Sequence, residues 1–141
     1  IKPTFSPTYQ SLITNHVLSD PSHPLHETQR RRQASRPRRG LWWHVTTGAD
    51  LNKSSCVRAW ARRRVRHAMR EELAARGYDE GGCFVGEMKT KKKEEGLGIG
   101  KIGIANEDLK GSLRMHVLAP LVAARFEVVR GEVGSVVEAL V

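Results

Sequence analysis

The chain has 141 residues, 39% of them hydrophobic and 6% aromatic, a length and composition that suit one domain whose core does not take in every segment. Its 24 Lys and Arg against 15 Asp and Glu leave a formal charge of +9, which points to polyanionic partners. No apolar run approaches the roughly 18 residues of a membrane-spanning helix, so a helical span is excluded.

The charge is concentrated at one end. Residues 1–70 carry 14 Lys or Arg against Asp20, Glu27 and Asp50, a net +11, whereas residues 71–141 carry 10 against 12 acids, a net −2. A uniformly solvated surface mixes both signs; a cationic arm and helix followed by an ordinary near-neutral domain is the strongest functional signal in the sequence.

Residues 1–41 read as an extended basic arm. Five of the six prolines (Pro3, Pro7, Pro21, Pro24 and Pro37) fall here without periodic apolar positions, a composition that disfavours helix and sheet ladders. Ordering such an arm costs on the order of 1–2 kcal/mol per residue, so contacts outside it are required. Within it, RRRQASRPRRG places Arg30, Arg31, Arg32, Arg36, Arg38 and Arg39 in ten residues. Tracts of this kind bind RNA or DNA as flexible segments that order on contact. They also serve as nuclear import signals or as remnants of mitochondrial targeting sequences. The first residue is Ile1 rather than Met, which reads as a processed or partial form.

Trp42 and Trp43 follow directly. Either ring suits stacking on an exposed base, but a pair at this junction reads first as an anchor, with one ring in the core and one partly exposed. From residue 42 a small α+β domain is expected to run to residue 141. Its first element is a helix over VRAWARRRVRHAMREELAARG, where Val57, Trp60, Ala61, Val65, Ala68, Met69 and Leu73 recur at amphipathic spacing. Asp50, Asn52 or Ser54 is placed to cap its start, and Gly77 to end it. Arg58, Arg62, Arg66 and Arg70 lie four apart, which makes a slowly drifting row about 18 Å long on one side of a helix. Arg63 and His67 widen it. A solvated face is the plain alternative, but only Glu71 and Glu72 offer local counter-charges, and unrelieved like charges at this spacing repel. Guanidinium forks pair bidentately with phosphate oxygens, so the row points to nucleic acid.

Beyond the helix, YDEGG reads as a turn, CFVGEM as a short strand, KTKKKEEG as a charged loop and LGIGKIGIAN as a glycine-weakened strand. SLRMHVL alternates Leu113, Met115 and Val117 with Arg114 and His116, a half-buried strand. Pro120 opens a helix or breaks the chain. ARFEVVRG reads as a strand from the alternation of Phe126 and Val128 with charges, and GEVGSVVEALV as a short C-terminal helix. The expected fold is therefore α+β: a basic N-terminal arm, a long basic amphipathic helix, a small antiparallel sheet and a C-terminal helix.

GIGKIG matches the letters of a dinucleotide-binding loop, but a charged loop precedes it and no clear helix follows, so its glycines read as close backbone approach. Cys56 and Cys83 lack the spacing of a metal or redox pair and read as reduced thiols. His23 and His26 sit among prolines without further ligands, and no metal site is expected. No nucleophile, base or carboxylate pair is set out for catalysis. No cofactor and no small-molecule substrate are expected.

The arm with RRRQASRPRRG, the Trp–Trp junction, the basic helix and the small near-neutral domain together resemble a mitochondrial ribosomal protein of the fungal type. The resemblance is one of layout over the whole chain, without the signature of a particular subunit. It implies a structural, non-enzymatic constituent in the mitochondrial matrix, with rRNA and neighbouring ribosomal proteins as partners. Under it, Arg30, Arg31, Arg32, Arg36, Arg38, Arg39, Arg58, Arg62, Arg63, Arg66 and Arg70 are the expected RNA contacts. A subunit of another ribonucleoprotein, a DNA-binding factor, and an interaction subunit with an acidic partner share these electrostatics.

Overall fold

A computed structural model describes residues 1–13, 15–86 and 107–141. The expected KTKKKEEG loop and the LGIGKIGIAN strand lie outside these residues, as does the end of CFVGEM. Among the described residues, eight strands and α-helices follow in order: β1 (Lys2–Ser6), α1 (His16–Ser19), α2 (His26–Ala34), β2 (Leu41–Thr47), α3 (Ser55–Ala75), β3 (Gly111–Val117), α4 (Pro120–Ala123) and α5 (Phe126–Glu138), with a short 3-10 turn at Ala49–Leu51 before α3. The class is α+β, with helices laid on a small three-stranded sheet.

The sheet has the order β1-β3-β2 and is mixed rather than antiparallel. β1 runs antiparallel to β3, and β2 runs parallel to it with Leu41 opposite Gly111 and Thr47 opposite Val117. A parallel neighbour needs a crossover, and α3 lies between β2 and β3 in sequence, so the long helix carries the chain back to the starting edge. The alternation read over SLRMHVL holds: Leu113, Met115 and Val117 are buried, while Arg114 and His116 are half-exposed on the other face.

The start of the arm departs from the expectation of an irregular segment. Lys2–Ser6 pairs with Ser112–His116, and Pro3 is accommodated because it sits on an edge strand. Residues 8–12 then cross the polar face of the sheet. Ser112, buried beneath them, donates from its hydroxyl to the Thr8 carbonyl at 3.1 Å and accepts from the Gln10 N–H at 2.9 Å. The Tyr9 hydroxyl donates to the Gly40 carbonyl at 3.0 Å, and its ring meets Trp42 edge-on at 5.2 Å. The ordering entropy of this stretch is thus offset by the chain's own domain. From His16 to Ala34 no residue is buried in α1 or α2, and α2 lies exposed.

α3 forms where its periodicity places it. Ala61, Val65, Ala68, Met69 and Leu73 face the core with essentially no exposure. Burying each large side chain contributes roughly 1.5–3 kcal/mol, so Met69→Ala is the single change that opens the largest gap in this face. Ser54 is the N-cap without a side-chain bond; Asn52 accepts from the Ser54 N–H at 2.8 Å instead. At the other end Gly77 takes φ +81, with Gly77 N–H donating to Ala74 O and Tyr78 N–H to Leu73 O. This Schellman arrangement also brings buried Tyr78 against buried Leu73. YDEGG is a turn, organised by Asp79 Oδ1, which accepts from the Gly81 and Cys83 N–H groups. Phe84 makes an isolated antiparallel bridge to Tyr78.

Pro120 opens α4 at its first position, where its missing N–H costs nothing. The expected strand at ARFEVVRG is instead the start of α5. Val129, Val133 and Val137, four apart, are buried together with Gly134, whereas Val128 is 55% exposed. α5 packs on α3 where Gly134 leaves room: a Cβ there would stand 3.1 Å from Glu72 Oε2. Glu72 locks the pair, accepting from Arg130 Nε at 2.7 Å and from Arg76 Nη1 at 2.5 Å, and Arg76 also donates to the Gly134 carbonyl. These two guanidinium groups, Arg130 first, hold the Glu72 carboxyl below its ordinary range.

Candidate nucleic-acid interface

The helical row divides by what each guanidinium already holds. Arg58 donates to the carbonyls of Asn52 at 2.6 Å and Lys53 at 3.0 Å, so it ties down the turn before α3. Arg70 makes two bonds to one oxygen of Glu80, at 2.6 and 2.8 Å. Arg62, Arg63 and Arg66 make no side-chain hydrogen bond or ion pair among the described residues, and the last two are exposed. At 100° per residue these three fall within about a quarter-turn of the helix surface. Arg64, in the midst of the run, points elsewhere: it donates to the Ala124 carbonyl at 2.6 Å and lies over Trp60 and Phe126. It serves the end of α4 and the contact with α5.

The arm divides in the same way. Arg30 and Arg31 each pair with Glu27 on the exposed surface of α2 at 3.1 Å, contacts worth little in water. Arg39 bonds Asp108 at 3.0 Å. Asp108 also accepts from the Phe84 N–H, and that bond, followed by Arg39, draws its carboxyl below the usual range. Arg32 and Arg38 are exposed without a side-chain partner among the described residues. Arg36 lies over the Trp42 ring at 4.1 Å, while the indole N–H of Trp42 donates to the Pro37 carbonyl. Trp42 is buried and Trp43 half-buried, its N–H held by the Glu80 carbonyl at 2.8 Å.

Arm, strand and helix meet around one open cavity of about 300 Å³. Arg36 comes from the arm, Leu41, Trp43 and His44 from β2, Arg66 and Arg70 from α3, and Glu80 and Gly81 from the turn. β2 reaches this turn because Gly40 takes φ +68 and lets the Leu41 N–H donate to the Gly81 carbonyl at 2.7 Å. His44 is driven toward its neutral form, first by burial and then by the charges of Arg36 and Arg66. The cavity therefore combines two guanidinium groups free of ion pairs among the described residues, an aromatic wall, and a neutral imidazole that donates from one nitrogen and accepts at the other.

Of the expected contacts, the structure brings Arg36, Arg66 and Arg70 together. Arg62 and Arg63 continue outward along α3. Arg30, Arg31, Arg39 and Arg58 are engaged within the chain. His44 and Glu80, which the sequence reading did not single out, complete the lining. Cys56 and Cys83 are both free thiols, the second raised above its ordinary pKa chiefly by burial. Among the described residues no cluster of His, Cys, Asp or Glu suited to a metal ion occurs, and no helix is long and apolar enough to cross a membrane. No protein-family model, no curated protein and no solved structure matches the chain.

Proposed function

We propose that the protein is a non-enzymatic RNA-binding constituent of a ribonucleoprotein particle, a mitochondrial ribosome by the resemblance of its layout, located in the matrix. The observation that carries this reading is the run Arg62, Arg63 and Arg66, which leaves three guanidinium groups without a partner among the described residues and leads into a cavity lined by Arg36 and Trp43. Like charges this close repel, so holding them together weakens the helix slightly unless an anion meets them. A phosphate backbone supplies anions in series and pairs with the planar fork of arginine. In this reading Arg32, Arg38 and the rest of the exposed arm extend the contact to rRNA, and the remaining surface of the domain meets neighbouring ribosomal proteins.

Sedimentation of a native lysate containing tagged full-length protein tests this directly. The protein is expected to travel with a large particle, to be released by RNase or high salt, and to bring down rRNA whose sequence names the particle. Slow sedimentation insensitive to RNase overturns the reading and assigns the arginines to a protein partner.

A further inference from the structure

We propose that the cavity between β2 and α3 is a subsite for a single nucleotide of an unpaired RNA segment, with the phosphate on Arg66 and Arg36 and the base against Trp43. This deepens the RNA-binding reading and rests on it, because an electrostatic surface needs only phosphates, whereas this cavity offers more.

The division of charge gives the subsite a direction. Glu80 already neutralises Arg70 through two short bonds, so the Arg70 end is a poor place for a second anion. Arg66 and Arg36 have no ion-pair partner among the described residues, and the phosphate belongs with them. Arg36 is held in place by its position over Trp42, 4.1 Å from the ring centre, which reduces the side-chain entropy lost on binding. The Arg70 end carries the groups a base can use, the Trp43 ring and the Glu80 carboxylate, the latter an acceptor for ring N–H or amino groups. Neutral His44, within reach of the charges of Arg36 and Arg66, lies on the phosphate side. The indole N–H of Trp43 is tied to the Glu80 carbonyl, so the aromatic wall and the carboxylate-bearing residue are fixed relative to each other. The volume, about 300 Å³, lies at the lower end of the range for small-ligand cavities. It far exceeds what one carboxylate of an acidic peptide would fill, and such a peptide has nothing to set against the ring.

Titration of the full chain with nucleoside monophosphates, ribose 5-phosphate and oligoglutamate, followed by backbone amide NMR, tests the subsite. The expected result is saturable shifts at Leu41–His44 and Gly81 with a nucleoside monophosphate, and distinctly weaker binding of ribose 5-phosphate. Arg66→Gln, at an exposed position where folding is not at stake, should weaken monophosphate binding roughly tenfold, the usual cost of a charged hydrogen bond. Trp43→Phe should retain partial binding and Trp43→Leu lose the preference for nucleotide over ribose 5-phosphate. A short oligoadenylate is then compared with a ribose-phosphate chain of equal length lacking bases. Equal binding of the two, with the salt dependence of phosphate contact, overturns the subsite and leaves the RNA-binding reading standing. Shifts at the same amides with oligoglutamate, equal to or stronger than those with nucleotide, overturn it in favour of an acidic protein. If neither oligomer binds, the RNA-binding reading fails together with the subsite.

Discussion

Replacing Arg62, Arg63 and Arg66 together by glutamine separates charge that serves a partner from charge that serves the fold. None of the three has a side-chain partner among the described residues. Arg62–Arg66 and Arg63–Arg66 stand at repulsive helical spacings worth about 0.2–0.5 kcal/mol each. The triple variant should therefore be as stable as the parent, or more stable by about half a kcal/mol, in urea denaturation. RNA binding should move the opposite way. Each phosphate contact on a single strand contributes about 0.7 to the slope of log K against log salt, so losing three lowers that slope by about 2. Fluorescence anisotropy with a labelled single strand across a series of KCl concentrations reads the slope. Arg58→Gln and Arg70→Gln serve as comparisons, since each of these arginines is bonded within the chain and should change the slope far less. A triple variant whose slope stays at the parent value, while its stability is intact, refutes the assignment of this run to phosphate.

Other substitutions test the fold that holds the interface. Glu72→Gln leaves Arg76 and Arg130 without their shared carboxylate and should cost about 1–2 kcal/mol in chemical denaturation. Because the folded state holds the Glu72 carboxyl below its ordinary range, its contribution is complete above the usual glutamate pKa of about 4.3. It is lost as pH falls through the folded value, so the parent and Glu72→Gln should converge in acid. Gly40→Ala combines φ +68 with a Cβ that would stand only 2.1 Å from the Gly81 carbonyl oxygen; it should lower stability by about 2 kcal/mol or more and weaken RNA binding by moving β2 away from the turn. Arg64→Gln should cost about 1 kcal/mol of stability in thermal melts through the lost Ala124 bond, yet leave the salt slope of RNA binding unchanged.

The parts of the fold legible from sequence were those whose pattern is local. α3 announces itself through Ala61, Val65, Ala68, Met69 and Leu73 at helical spacing, and β3 through alternation at Leu113, Met115 and Val117. α5 was misread because the charges around Phe126 and Val128 imitate a strand, while its true period, Val129–Val133–Val137, is interrupted by the poor helix formers Gly131 and Gly134. Gly134 is there for the contact with Glu72, a tertiary reason with no local trace. β1 contains a proline and little apolar surface; its pairing depends on β3, more than a hundred residues away. The parallel arrangement of β2 was likewise hidden, since the sense of a strand pair is set by the path of the chain between them. At the interface, the arginines were visible by type but not by engagement. Arg58 and Arg70 fit the row as well as Arg62 and Arg66 do, and only the folded chain shows the Asn52 carbonyl and the Glu80 carboxylate that occupy them. His44 and Glu80 carry no signal of their own, because the arm, β2, α3 and the turn come together around the cavity only in the folded chain.

The middle strand of the sheet is the last of the three to be made. β1 and β2 flank β3 in space, yet 63 residues separate the end of β2 at Thr47 from the start of β3 at Gly111. At translation rates of about 5–20 residues per second this is a delay of roughly 3–13 s. Throughout it, both outer strands have exposed hydrogen-bonding edges, and α3, which forms from local contacts within microseconds, has no sheet to cover. The arginine tract at 30–39 and the run at 62–66 thus leave the ribosome in advance of the strand with which β2 pairs. In the proposed RNA-binding reading, a polyanion close to the emerging chain meets the loose basic segment first and the assembled surface second, so that capture precedes recognition.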